Sequence, residues 1–169
     1  SKTEGAIVNE RHLQLQSTRF ENLLHDGLIA MQVHRDKEMA RKLFDEAAVL
    51  EPENYLTFMF AASITTDPIA CLCKAVIQEP HSIKTWILLG EEFDVVGDTR
   101  QALECFKSAI TVCPEYEVSY LRVASLLKRI GQESQSELFS KKAESIIQEL
   151  TDLNNPELDP HPYANYQNQ

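Results

Sequence analysis

One spacing occurs twice in this chain without change. Ala40, Phe44, Ala47 and Pro52 are separated by 4, 3 and 5 residues, and Ala102, Phe106, Ala109 and Pro114 by the same intervals. Pro68, Leu72, Ala75 and Pro80 repeat it with two substitutions, and Ser136, Ser140 and Ala143 continue it more weakly. Repetition of this kind constrains a fold strongly, because one short unit cannot bury its own apolar stripe and must stack on its neighbours. Ala75, Ala109 and Ala143 are 34 residues apart, whereas Ala47 precedes Ala75 by only 28.

A second pattern lies upstream of each first one. Trp86, Leu89, Gly90 and Phe93 have offsets of 3, 1 and 3; Tyr55, Phe58, Met59 and Ala62 share them, as do Leu24, Gly27, Leu28 and Met31, and Tyr120, Val123, Ala124 and Leu127. Gly97 and Gly131 fall between the two patterns, where a helix must stop and the chain reverse. Each repeat therefore reads as two helices at 3.6-residue periodicity. Ala or Gly at a crossing lets two backbones approach while the large residue nearby fills the gap. The Pro after each second helix cannot continue it and fixes the turn into the next repeat. Stacked repeats give an all-α, short right-handed solenoid.

Composition excludes several alternatives. With 169 residues the chain holds one domain or one repeat array. The 16 Lys and Arg against 26 Asp and Glu leave a net charge of −10, which argues against a general nucleic-acid or anionic-membrane binder. No apolar run approaches the ~18–20 residues of a membrane helix. Only 5 Gly and 7 Pro, with few alternating β-branched runs, argue against an all-β fold. The polar start does not read as a signal peptide, and the absent initiator Met fits a fragment of a larger parent. Cys71, Cys73, Cys105 and Cys113 are too few for a disulfide framework in a chain this long. Reduced thiols and a cytoplasmic location are expected.

No catalytic constellation is visible. The sequence lacks a Gly-rich phosphate loop, a Gly-x-Ser-x-Gly and a His-Glu-x-x-His. Cys71-Leu72-Cys73 lacks the spaced pairs of a zinc site, and side chains two apart on a helix diverge by about 200°. Cys71 and Cys105 occupy equivalent positions, which is read as repeat equivalence rather than a regulatory disulfide. His12, His25, His34, His81 and His161 are scattered. The expectation is no enzyme, no metal and no cofactor.

Local signals mark the element ends. Thr18 and Glu21 form a capping-box pattern before the first helix, and residues 6–16 suggest one further, thinner helix. Asp67 before Pro68 reads as an N-cap followed by Pro at the first helical position. Ser82 and Asp98 are candidate N-caps.

The third repeat, residues 83–116, resembles the tetratricopeptide repeat family at Trp86, Leu89, Gly90, Phe93, Ala102, Phe106, Ala109 and Pro114. The resemblance extends over a first repeat at 21–54, a shortened second at 55–82 and a fourth at 117–150. The deletion in the second is placed at the turn Thr65-Thr66-Asp67-Pro68, and the fourth lacks the expected Ala and aromatic at Ser136 and Ser140. Residues 1–20 are expected to be a partly helical N-terminal segment, and 151–169 an acidic, Pro-containing, non-helical tail.

In that family the first helix of each repeat lines the concave side. Carried onto this sequence, the lining is Asn22, His25, Ile29 and Val33; Leu56, Thr57, Phe60 and Ile64; Lys84, Ile87, Leu88, Glu91 and Val95; and Val118, Leu121, Arg122, Ser125, Lys128 and Arg129. Its middle is apolar (Ile29, Leu56, Phe60, Ile87, Leu88, Leu121), and its far end is basic (Arg122, Lys128, Arg129). The resemblance thus implies a protein-interaction module or adaptor. Its partner peptide would bury apolar side chains on Phe60 and Leu88, beside Lys84, and set an acidic flank on Arg122 and Arg129. Competing expectations are coverage of this surface by residues 1–20 or by a tail anchored on Tyr163 and Tyr166, and ordinary core. The clamp of chaperone-tail binders is absent, since Ile29 and Leu88 supply no charge-assisted donors. Alternative functions are a chaperone of the type III secretion class holding a hydrophobic client, and an assembly subunit that self-associates through an uncapped C-terminal end.

Overall fold

The computed structural model describes residues 2–153, with side chains from His12 onward. The chain order is α1 (Lys2–Gln32), α2 (Lys37–Leu50), α3 (Tyr55–Ala61), α4 (Pro68–Gln78), α5 (Ile83–Val95), α6 (Thr99–Val112), α7 (Glu117–Arg129) and α8 (Glu133–Leu153). No strand occurs among the described residues. The chain divides into an N-terminal half, Ser1–Glu92, and a C-terminal half, Phe93–Gln169.

Helix ends follow local chemistry. The Asp36, Asp67 and Asp98 side chains accept from the amides of Met39, Ala70 and Gln101, and Pro68 occupies the first turn of α4. The Ser82 hydroxyl accepts from Thr85 N at 3.3 Å. Gly97 and Gly131 reverse the chain at φ +84° and +79°, the left-handed region glycine tolerates. Arg35 takes φ +56° at the corresponding turn of the first helix pair.

Three sequence expectations need correction. First, α1 runs unbroken through residues 6–16 and the supposed capping box. Thr18 Oγ1 donates to Gln14 O at 2.9 Å inside the helix, so it caps nothing. No proline interrupts residues 2–32, and no element boundary falls at residue 20. Second, Thr151–Leu153 are helical, since α8 ends at Leu153. The remainder of the expected tail, 154–169 with Tyr163 and Tyr166, lies outside the described residues.

Third, the register of the second repeat shifts by three. Trp86 Nε1 donates to Pro80 O at 2.8 Å, and Tyr120 Oη donates to Pro114 O at 2.9 Å, each six residues beyond its proline. Phe58 stands six beyond Pro52, so Phe58 rather than Tyr55 corresponds to Trp86. The shortening falls around the expected turn. α3 has 7 residues against 13 in α5, and α4 has 11 against 14 in α6.

In the N-terminal half, α1 pairs with α2 and α3 with α4, and α3 also touches α1 and α2. Phe20, Leu24, Ala30, Ala40, Phe44 and Ala47 form the core. A Cβ at Gly27 would stand 2.4 Å from Phe44 Cε1, so only glycine admits the buried ring there. In the C-terminal half, α7 packs against α6 and α8. Tyr120, Ala143 and Ile146 form a core there, with Ile110 and Phe139 packed on it.

Candidate functional site

The N-terminal half carries six of the expected binding residues. Asn54 starts α3 by accepting from Leu56 N at 3.0 Å while its amide donates to Glu51 Oε2 at 2.7 Å. This start fixes which side of α3 meets the core. Leu56 and Phe60, four apart, fall on that side, and with Ile64 of the following turn they pack on the first core while staying half-buried. The Phe60 ring stacks on Phe44 with centroids 5.8 Å apart and planes 16° apart. Lys84, exposed on α5, places Nζ 5.9 Å from the Phe60 centroid, within cation–π reach. Ile29 and Leu88 are half-buried. Ile87 is buried at 9% exposure and offers little surface to a ligand.

Thr57, expected on the open surface, is instead buried at 4%. Its counterparts in later repeats, Thr85 and Ser119, are buried too. All three sit one position before the aromatic of the first helix. The Thr85 hydroxyl pairs with Ser82 Oγ at 2.8 Å. The Thr57 and Ser119 hydroxyls have no hydrogen-bond partner. His25 is exposed, with Nδ1 3.7 Å from Asp26 Oδ1.

In the C-terminal half, Leu121 is 44% exposed, and Arg122 and Lys128 are also exposed. Arg129 is engaged: its guanidinium donates to Asp94 Oδ1 and forms an ion pair with it. The hydrogen bond and the charge of Asp94 raise the guanidinium pKa further, against a smaller desolvation effect. The positive charge of Arg129 is thus already answered within the chain, which leaves less of the expected basic end for a ligand.

The irregular fourth repeat has a physical outcome. Ser136 is buried, and its Oγ donates to Ala124 O at 2.8 Å, which holds α8 to α7. Ser140 stands where Phe44 and Phe106 stand in other repeats. Beside it opens a cavity of about 300 Å³, lined by Lys128, Glu133, Ser136, Glu137 and Ser140. The aromatic returns one residue earlier as Phe139, whose ring lies 6.2 Å from that of Tyr120. The two serines therefore leave a polar recess at this point, while α8 exposes Leu138, Ile147, Leu150 and Leu153 elsewhere.

All four cysteines are free thiols. Among the described residues, no group of three or more His, Cys, Asp or Glu is placed to hold a metal ion. No described helix is long and apolar enough to cross a membrane.

Paired helices, glycine reversals and small-residue crossings define an all-α fold of tetratricopeptide type. Solved structures of MamA, a protein of tetratricopeptide repeats, share it. One, a crystal structure of MamA, superposes with a TM-score of 0.70 at 18% identity over 84% of this chain and 86% of that one. A second MamA crystal structure gives 0.69 at 17% identity over 91% and 90%. MamA 41-end from Desulfovibrio magneticus RS-1 gives 0.66 at 18% identity over 77% and 76%. No family profile matches the sequence, and no curated protein matches it.

Proposed function

We propose that the chain is a non-catalytic protein-interaction module that captures an apolar segment of another protein. Leu56 and Phe60 are the apolar contacts, with Ile29 and Leu88 nearby in sequence pattern and Lys84 as the adjacent cation. The observation that supports this is the half-buried state of Leu56 and Phe60 along one side of α3 and of Ile64 in the turn that follows. Side chains held by a core yet still partly open offer preformed contact area at low ordering cost. Each anchor, once fully covered, contributes roughly 1–2 kcal/mol before the costs of association. Leu121, Arg122 and Lys128 extend the same reading to the C-terminal half. Arg129 contributes there only by exchanging Asp94 for a ligand carboxylate.

The test pairs a binding readout with a stability readout. Phe60→Ala with Leu88→Ala should reduce recovery of bound partners beyond what its unfolding curve explains. Lys84→Glu, at an exposed position, should weaken binding of an acidic-flanked segment and cost no more than the cation–π contact, about 1 kcal/mol, in the unfolding curve. Lost stability with binding retained would make these residues core alone.

A further inference from the structure

The shortened second repeat leaves a cavity with its own chemistry. α3 stops at Ala61, and the chain turns through Ile64, Thr65 and Thr66 before Asp67 starts α4. The space beside this turn is about 260 Å³, lined by Ala61, Ile64, Thr65, Thr66 and Cys71 together with Arg41 and Asp45 of α2. Its size restricts the occupant. Pockets for whole small-molecule ligands begin near 300 Å³, whereas an apolar cavity of about 150 Å³ already accepts benzene. The recess is open to solvent and has room for one six-membered ring.

The lining narrows the choice further. Ala61, Ile64 and the Cys71 thiol give an apolar patch. Arg41 is one of the lining residues, and its guanidinium donates to Ile64 O at 3.3 Å, which fixes a planar cation beside the space. A guanidinium attracts the face of an aromatic ring. Asp45 and Thr66 bring oxygens that can accept from a phenolic O–H, while Thr65 Oγ1 already accepts from Asp67 N at 3.4 Å. The positive and negative side chains balance, so a charged head group gains nothing here. We infer that this cavity is an anchor pocket for a single tyrosine side chain presented by a partner. Its ring would lie against Ala61, Ile64 and Cys71 under Arg41, with its hydroxyl toward Asp45. Only the source of the tyrosine rests on the interaction-module reading; the fit of the ring to the cavity does not.

The test uses the full chain and p-cresol, the tyrosine side-chain analogue, with cyclohexanol as a ring of similar size without a π face. Amide shifts are followed by NMR in the wild type, Arg41→Gln and Cys71→Met. p-Cresol should give saturable shifts centred on Ile64, Thr65, Thr66 and Cys71. Binding should weaken roughly threefold in Arg41→Gln and for cyclohexanol, and vanish when Cys71→Met fills the space. Arg41 is exposed, so its variant remains informative if Cys71→Met does not fold. Absent or scattered shifts, or cyclohexanol binding as well as p-cresol, would overturn the assignment. Failure to capture any partner through Phe60 and Leu88 would leave the p-cresol result standing.

Discussion

The α1–α2 pair closes on a ring, and the α7–α8 pair closes on hydroxyls. In the first, Phe44 is fully buried against Gly27 and stacks on Phe60 of the following helix. In the last, Ser140 takes the corresponding position beside a polar recess, and Ser136 ties α8 to Ala124. The turns differ in the opposite sense. The first pair reverses through Arg35 in the left-handed region, and the last through Gly131. A repeat position is thus a place in the packing rather than a residue. It takes a ring where a following helix covers it, and a hydroxyl where polar surface borders it.

The largest effect should come from the ring. Phe44→Ala should cost about 3–5 kcal/mol in urea unfolding, whereas Ser140→Ala should stay within about 0.5 kcal/mol. Similar costs at the two positions would break the comparison. Next, Gly27→Ala should destabilise by about 1–2 kcal/mol, because overpacking against Phe44 outweighs the better helix propensity of alanine. Combining it with Phe44→Leu should recover part of that loss, read as a non-additive double-mutant cycle.

The turns give smaller effects of opposite sign. Gly131→Ala should cost about 1–2 kcal/mol for a side chain at positive φ. Arg35→Gly should raise stability by up to about 1 kcal/mol, because relief of the same strain exceeds the added chain entropy. Thermal melts of the two variants check both signs. Ser136→Ala is expected to have a similarly small effect. It loses one hydrogen bond to Ala124 O but gains helix propensity, for a net cost under about 1 kcal/mol. A larger loss would show that the hydroxyl, and not packing around it, holds the last pair together.

Much of the fold was legible because its signals are local. Asp67, Asp98, Pro68, Gly97 and Gly131 act within a few residues of where they stand, and each marks the boundary it suggested. The register of the second repeat was not legible. A slip of three residues keeps side chains on nearly the same helix face, so Tyr55, Phe58, Met59 and Ala62 satisfy the spacing while Phe58 holds the position of Trp86. The Thr18–Glu21 pattern misled for a related reason. A threonine hydroxyl serves as a cap only where a helix begins, and inside a helix it finds the carbonyl four residues back.

The candidate surface divides the same way. Helical spacing put Leu56 and Phe60 on one side of α3, a face that the core partly covers. Spacing did not reveal that Thr57 and Ile87 turn inward, that Lys84 stands over Phe60, or that Asp94 engages Arg129. Nor did it reveal the cavity beside Cys71, which exists only because residues of α2 border a turn more than twenty positions downstream.

The sequence by itself determined the helix count within the repeats, most of their ends and the small-to-large pattern at crossings. Those depend on backbone conformation and on neighbours within one or two turns. Only the tertiary structure decided which of several equivalent registers is occupied, which polar groups find acceptors, and where space remains. These are settled by side chains that meet from distant parts of the chain, each filling or failing to fill a volume the other leaves.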